Sequence, residues 1–172
     1  MGVPVLIISG SLGSGKTTVL GEASDLLIER KVRHAAIDLD GLSIAWPQIR
    51  DAPYNDWIMF QNLGCVWANY AREGIDRLLV ARVVETRFEL VAYEQAVPGA
   101  EIRVCRLTAS TETMLARLRV REPGSIRPWM LARAPVLAEQ LERTGPDDFV
   151  LDNDGRQVRS VAEELLFKAG WT

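Results

Sequence analysis

The stretch LIISGSLGSGKTTVL, residues 6–20, decides the fold, because an apolar run leads directly into three glycines and a lysine. Residues 10–17 fit the pattern G-x-x-x-x-G-K-[ST] in full, between a predicted buried strand and a predicted helix. Glycine loses the most backbone freedom on folding, so this cluster indicates a backbone that must stay uncovered. Such a backbone can wrap a polyphosphate with successive N–H groups, at the positive end of the following helix. The stretch therefore predicts a site for a nucleoside triphosphate.

Lys16 and Thr17 carry the functional side chains of this loop. We expect Lys16 to supply positive charge to the β- and γ-phosphates and the Thr17 hydroxyl to ligate Mg²⁺. A side chain at Gly15 is expected to fill the phosphate cradle. The residues expected to line the nucleotide are Gly10, Ser11, Leu12, Gly13, Ser14, Gly15, Lys16, Thr17 and Thr18. The alternative is a glycine-rich turn that only joins a strand to a helix.

Composition limits the classes of protein to which the chain can belong. Its 172 residues, 48% hydrophobic and 25% charged, are enough for one compact domain with a substantial core. The 20 Lys and Arg against 23 Asp and Glu give a formal net charge of −3, which argues against a nucleic-acid-binding face. The single histidine, His34, argues against a His/Cys zinc cluster.

The sequence predicts a cytoplasmic protein without a membrane partner. The apolar run at residues 3–8 is too short for a signal peptide or a membrane span, and no basic segment precedes it. Cys65 and Cys105 both lie in apolar segments. We expect them to be buried thiols in a reducing compartment rather than a disulfide.

Short apolar runs alternate with helical periodicity, which predicts a parallel α/β sheet. The runs do not alternate apolar with polar residues, as expected of strands covered on both faces. The five predicted strands span residues 3–8, 35–39, 78–84, 102–107 and 149–151. Helices are predicted around residues 19–27, 57–70, 111–118 and 158–166, with Trp57 and Trp67 on the core face of the second.

Two further segments are expected to carry chemistry. Asp38 and Asp40 follow the second predicted strand, and ligands bind outside the carboxyl edge of an open parallel sheet. Side chains two apart on a strand share a face, so both carboxylates are expected to reach one site; the alternative is a solvated turn. Residues 121–135 contain three prolines, a glycine and three arginines, which predicts a functional loop.

In these motifs the chain resembles the small-metabolite kinase branch of the P-loop fold, which contains shikimate, gluconate and adenylylsulfate kinases. The resemblance implies three layers, α/β/α, around a five-stranded parallel sheet of order 2-3-1-4-5. It also implies ATP as the phosphoryl donor and Mg²⁺ as the metal ion. The family's D-x-D after the second strand resembles residues 38–40, which places Asp38 near the water shell of Mg²⁺ and Asp40 near the acceptor hydroxyl.

The same resemblance assigns the adenine end of the site and a lid. MLARLRVRE, residues 114–122, is similar to a helix that contacts adenine through an arginine, here Arg117. SIRPWMLARAPVLAEQ, residues 125–140, resembles the family's lid, which makes Arg127 the phosphate-binding arginine of a mobile lid at about residues 122–133. VLDNDGRQVRSVAEEL, residues 150–165, resembles the last strand and base-edge loop, and so Asn153, Gly155 and Arg156 are expected beside adenine.

Arg82 lies within an apolar strand, where a cation needs an anionic partner. Either Glu85 pairs with it structurally, or it binds a phosphate or an anionic acceptor. Glu85 also stands where many P-loop proteins carry an acidic residue that acts on Mg²⁺ through water. Trp46 and Trp129 are candidates for substrate contact, and Trp46 is counted with Asp40 and Arg82 as an acceptor-site residue.

The leading hypothesis is an ATP- and Mg²⁺-dependent phosphotransferase that acts on a hydroxyl of a small metabolite, with Lys16, Asp38, Asp40 and Arg127 as catalytic residues. It is expected to be one domain, residues 1–172, with an acceptor region at about 38–75, and a monomer or a homodimer. One rival is a nucleoside or nucleotide kinase. The other is a nucleotide-binding regulatory protein without an acceptor.

Overall fold

Five parallel strands form one sheet in the computed structural model, which describes residues 2–47, 55–121 and 124–171. The strands are β1 (Val3–Gly10), β2 (Ala35–Asp38), β3 (Leu78–Ala81), β4 (Ala100–Thr108) and β5 (Phe149–Asp152). Their spatial order is β2-β3-β1-β4-β5. The predicted α/β class and the 2-3-1-4-5 strand order are therefore confirmed. Residues 48–54 of the expected acceptor region and residues 122–123 of the expected lid lie outside the described residues.

The central strand β1 forms backbone hydrogen bonds with a neighbouring strand along each of its two edges. It pairs with β3, where Val5 faces Leu78, and with β4, where Gly10 faces Leu107. Its residues from Val5 to Gly10 are all buried, because the sheet is covered on both faces. This register places the glycine-rich loop at the carboxyl edge of the sheet, directly after the central strand.

Helices cover both faces of the sheet. On one face, α1 (Lys16–Glu29) and α6 (Val158–Lys168) pack against a core that includes Leu26 and Leu165. On the other face, α2 (Asp56–Arg72) and α3 (Leu90–Ala96) enclose a second core that includes Leu63 and Tyr93. The helices α4 (Thr111–Arg121) and α5 (Arg127–Thr144) pack on each other. The structure thus has the three layers that were expected.

The expectation of a loop over residues 121–135 is wrong for its second half. The helix α5 begins at Arg127 and continues to Thr144, with Pro128 in its first turn and Pro135 in its interior. A proline in the first helical turn lacks only an N–H that would have no intrahelical acceptor, so Pro128 is compatible with the helix. Arg127 is consequently presented from a helix N-terminus.

Two core expectations are also corrected. Trp67 is buried as expected, but Trp57 is 44% exposed and Met59 takes a core position on α2 instead. Cys105 is buried, whereas Cys65 is exposed; both are free thiols, as expected. The described part of the chain contains no helix with the length and apolar character needed to span a membrane.

Candidate active site

The glycine-rich loop needs glycine because its backbone passes close to neighbouring backbone. Gly10 and Gly13 have positive φ angles of 137° and 79°. A Cβ atom at Gly10 would stand 2.5 Å from the carbonyl oxygen of Leu107, and one at Gly13 would stand 2.6 Å from that of Met114. Both distances are well inside van der Waals contact, and neither neighbour is a flexible side chain. The loop is therefore held in one shape by β4 and α4.

Gly15 is required for a reason that the sequence did not reveal. A Cβ atom there would lie 2.4 Å from Nδ2 of Asn153, at a φ of 100°. This amide nitrogen donates a hydrogen bond of 2.8 Å to the carbonyl oxygen of Ser14, and Asn153 is 5% exposed. The expectation that a side chain at Gly15 would fill the phosphate cradle is thus corrected, because the atom would first meet a buried amide behind the loop.

Lys16 is folded onto the loop that precedes it. Its Nζ donates to the carbonyl oxygens of Gly10 and Ser11, at 3.0 and 3.1 Å. Burial lowers the pKa of Lys16 from 10.5 to about 8, although the negative charge of nearby Asp40 acts in the opposite direction. The ammonium group is therefore poorly solvated, and a phosphate would give it a strong partner.

Two serines of the loop differ in their surroundings. The Ser11 hydroxyl donates to the carbonyl oxygen of Ala134 in α5 at 2.6 Å, so this side chain anchors the loop to α5. The Ser14 hydroxyl is buried and has no hydrogen-bond partner among the described residues. A buried polar group without a partner costs free energy, which is consistent with a loop that is completed by a ligand.

Thr17 and Asp38 are brought together as expected. The Thr17 hydroxyl donates to Oδ2 of Asp38 at 2.7 Å, which joins the start of α1 to the end of β2. A hydroxyl beside a carboxylate is a fitting oxygen donor pair for Mg²⁺. Among the residues that the structure describes, no group of three or more His, Cys, Asp and Glu side chains could hold a metal ion.

Asp40 is not on the strand, which corrects the reason given for its pairing with Asp38. β2 ends at Asp38, and a 3₁₀ helix, Leu39–Leu42, follows. Oδ1 of Asp38 accepts a hydrogen bond of 3.1 Å from the backbone N–H of Asp40. This turn directs the two carboxylates to different partners, Thr17 for Asp38 and Arg82 for Asp40.

Arg82 follows the end of β3 and is held by two carboxylates. It bonds to Asp40 at 2.5 Å and to Asp56 at 2.7 Å, and its side chain is only 16% exposed. The expectation that an anion neutralises this arginine is met, but the structural partner is not Glu85. Asp56 is the first residue of α2, and its position in a helix first turn was the signal that could have identified it.

Glu85 faces α5 rather than the expected metal site. Its carboxylate accepts hydrogen bonds from Nε2 of Gln140, at 2.5 Å, and from Arg133, at 3.4 Å. The metal donor pair formed by Thr17 and Asp38 lies at the α1 end of the loop. These polar partners of the Glu85 carboxylate thus come from α5, and its expected Mg²⁺ role stays a prediction.

Arg117 and Asn153 meet behind the loop, at the expected adenine end. Arg117 donates to the carbonyl oxygens of Gly13 at 3.2 Å and Asn153 at 2.8 Å. Gly155 has a φ of 63° in the turn that follows β5. The Arg156 guanidinium instead bonds to the carbonyl oxygen of Asp152 and the carboxylate of Glu164 in α6. The structure thus brings Arg117 and Asn153 to the loop and ties Arg156 to α6.

Two arginines lie at the ends of neighbouring helices, Arg127 in the expected lid and Arg121 just before it in the sequence. Arg127 is half-buried at the start of α5. Arg121, the last residue of α4, is close enough to Lys16 for its positive charge to lower the pKa of that lysine. Sequence reasoning missed Arg121, although it lies one residue before the end of the segment 114–122 on which the resemblance rests.

A cavity of about 1460 Å³ opens beside these residues. Leu12 of the loop, Asp40 and Arg82 line it, together with residues of α2, α3 and α5. Trp129 lines it, as the sequence suggested, whereas Trp46 is 94% exposed and is not among the lining residues found in the described chain. The described residues thus give no contact between Trp46 and the cavity, and its acceptor role stays a prediction.

No protein-family model matches this sequence, and no curated protein sequence matches it. Solved structures do match the fold. A tunicamycin resistance protein of Deinococcus radiodurans is 18% identical with a TM-score of 0.67, over 99% of this chain and 97% of the other. A sugar kinase from Janibacter sp. HTCC2649 is 18% identical with a TM-score of 0.63, over 97% and 94%.

An APS kinase of Mycobacterium tuberculosis, in complex with AMPPNP and APS, is 16% identical with a TM-score of 0.61, over 99% of each chain. Identities this low establish the architecture alone. The strand order, the glycine-rich loop between β1 and α1, and these matches lead to one conclusion: the chain has the fold of the P-loop small-molecule kinases.

Proposed function

We propose that the protein is an ATP- and Mg²⁺-dependent phosphotransferase that moves the γ-phosphoryl group of ATP to a hydroxyl of a small molecule. The observation that carries this proposal is the placement of Asp40. Its negative charge is close enough to Lys16 to raise the pKa of that lysine, and Asp40 lines the same cavity as Arg82. A carboxylate in this position can orient an acceptor hydroxyl toward a phosphate held by the loop.

On the donor side, the loop residues Gly10 to Thr18 would hold the triphosphate. Lys16 would exchange its bonds to Gly10 and Ser11 for bonds to phosphate oxygens and so neutralise charge. Thr17 and Asp38 would hold Mg²⁺, directly and through water. Mg·ATP supplies the transferable phosphoryl group. These groups stabilise developing charge by their fixed positions, which is the main source of rate in phosphoryl transfer.

On the acceptor side, Asp40 would accept a hydrogen bond from the attacking hydroxyl and later take its proton. Arg127 would contact the transferring group from the start of α5, and Arg117 and Asn153 would border the adenine. The cavity supports a phosphotransferase over a regulatory nucleotide-binding protein, because a regulatory protein has no use for an acceptor cavity next to the phosphate loop.

Thermal unfolding with Mg·ATP, followed by an acceptor screen with labelled ATP, tests this function. Saturation at a hundredfold above the dissociation constant should add about 2.7 kcal/mol of apparent stability. Wild-type protein should show the shift and transfer label to at least one hydroxyl compound, while Lys16→Ala should show neither. A protein that binds Mg·ATP but transfers label to water alone would contradict the proposal.

A further inference from the structure

The cavity beside Asp40 is larger than a small polar metabolite requires. Its volume is about 1460 Å³, whereas pockets for drug-sized ligands measure roughly 300–1,000 Å³. A sugar acid or a similar hydroxy acid would fill a small part of it and leave the apolar walls in contact with water. The size of the cavity therefore favours a bulky ligand.

Aromatic side chains form much of its wall. Trp57 and Phe60 come from α2, Phe88 from a short 3₁₀ helix, and Trp129 from α5. Trp57 is 44% exposed, Trp129 46% and Phe88 85%. Large apolar side chains that remain exposed around a concave surface are typical of a ligand site. Flat aromatic faces favour a ligand that itself carries rings.

The charges that line the cavity are unfavourable for an anion. Within the described chain there are four acids and two bases, namely Asp40, Asp56, Glu85, Glu89, Arg82 and Arg133. Arg82 is bonded to Asp40 and Asp56, and Arg133 to Glu85. An anionic ligand would have to displace a carboxylate from an arginine and would still meet an excess of negative charge.

Tyr93 adds a polar group to a largely apolar wall. It lines the cavity, is 1% exposed, and packs edge-on against Phe60 with ring centroids 4.9 Å apart. Its hydroxyl has no hydrogen-bond partner among the described residues. Burial raises the pKa of this hydroxyl, so it remains able to donate. A polar group of a deeply bound ligand would satisfy it.

From size, lining and charge together, we propose that the acceptor is a bulky, ring-bearing hydroxyl compound that is neutral or cationic, and not a small anionic metabolite. This proposal rests on the proposed phosphotransferase function, since it names the substrate class of the same site. Asp40 would meet the hydroxyl, and the rings would lie among Trp57, Phe60 and Trp129.

Calorimetric binding of matched probes to the full chain with Mg·AMPPNP tests the ligand class. The probes are 2-naphthalenemethanol, its 6-aminomethyl and 6-carboxylate derivatives, shikimate and gluconate. The neutral and cationic naphthyl probes should bind at least roughly tenfold more tightly than the other three, because those three are anions and the cavity carries an excess of negative charge. A tenfold difference in affinity corresponds to about 1.4 kcal/mol. Tighter binding of the carboxylate, shikimate or gluconate would overturn the proposal.

Variants locate the bound probe. Trp57→Ala and Trp129→Ala should each weaken the binding of 2-naphthalenemethanol by roughly fivefold or more, since a pair of aromatic rings contributes binding free energy beyond the area that it buries. Phe167→Ala is the matched control, because Phe167 is 73% exposed on α6, outside the cavity. Asp56→Asn should reduce the difference in affinity between the neutral and the carboxylate probe, because it removes one negative charge from the cavity wall. Equal affinities across the two tryptophan variants and the control would place the probe elsewhere and overturn the proposal.

The two proposals fail in different ways. Naphthyl probes should still bind Lys16→Ala, which is expected to lose Mg·ATP. If wild-type protein binds the naphthyl probes but not Mg·ATP, the phosphotransferase function is wrong and the ligand class stands. If it phosphorylates shikimate or gluconate in preference to 2-naphthalenemethanol, the function stands and the ligand class is wrong.

Discussion

At the scale of single residues, the pKa of Lys16 depends both on burial and on the proposed phosphate ligand. Its pKa of about 8 lies below the ordinary 10.5 because the surrounding loop excludes water. Between these two values the unfolded chain binds more protons than the folded chain, so the contribution of Lys16 to stability rises with pH in this window. A bound phosphate favours the charged form and acts in the opposite direction.

We therefore predict that Mg·ATP binding takes up nearly one proton at pH 9 and almost none at pH 7. Calorimetry in buffers of different ionisation enthalpy measures this uptake directly. Lys16→Arg is the control, because a guanidinium stays charged at both values and should take up no proton. Equal proton uptake by wild-type protein at pH 7 and pH 9 would contradict the assignment of the shifted group.

We predict different effects of substituting Asp38 and Asp40, because their carboxylates have different partners. Asp40→Asn should retain Mg·ATP affinity and lose roughly 10²–10⁴ in transfer rate, the usual contribution of a positioned acid or base. Asp38→Asn should weaken the dependence of binding on Mg²⁺ as well, since it loses the carboxylate beside Thr17. The measurements are Mg·ATP affinity by calorimetry and transfer to the acceptor found in the screen. Undiminished transfer by Asp40→Asn would refute its role.

At the scale of elements, β1, the loop and α1 were predicted closely because their determinants are local in sequence. The predicted helical segment 19–27 contains the whole buried face of α1, which consists of Val19, Leu20, Ala23, Leu26 and Leu27. The two partners of Arg82 were harder to predict, because α2 brings Asp56 from 26 residues away. The start of α5 was missed because the prolines and glycine of residues 121–135 are equally compatible with a loop and with a helix first turn.

The placement of Arg127 at the start of α5 gives a prediction for that helix. Arg127→Ala should lower the turnover rate more than it lowers Mg·ATP affinity, because its proposed contact is made best in the transition state. Arg143→Ala, in the last turn of the same helix, is the matched control and should change neither. A weaker affinity with an unchanged rate at saturation would show that Arg127 only binds the nucleotide.

At the scale of the whole molecule, the shape of the glycine-rich loop depends on residues that are far from it in the sequence. Arg117 and Asn153 bond to loop carbonyls across 104 and 139 residues. No local sequence pattern carries such contacts, and for this reason the requirement for glycine at position 15 could be explained only from the structure. The cavity, too, is lined by three α-helices that are separate in the sequence, α2, α3 and α5.

Asn153→Ala should therefore weaken Mg·ATP binding, although Asn153 is not expected to touch the phosphates. The substitution removes the buried bond from the amide and leaves the Ser14 carbonyl oxygen with only the longer bond from Arg117, at 3.3 Å, which should destabilise the fold by roughly 1 kcal/mol. Asn62→Ala is the matched control, because Asn62 donates a comparable bond of 2.9 Å to the carbonyl oxygen of Leu42. It should lower the melting temperature similarly while Mg·ATP affinity stays unchanged.

The contact between Asn153 and the loop also orders events during protein synthesis. The loop leaves the ribosome early, but β1 lacks its second neighbour until β4 has been made, and the loop lacks its amide support until β5 is complete. Domains fold as units while the chain grows, and parallel pairing over such separations is slow. A nascent chain that stops before Asn153 therefore carries the whole nucleotide motif in its sequence and yet cannot form the supported loop. If the proposed nucleotide site depends on this support, we expect a nascent chain to bind nucleotide only after β5 has been synthesised.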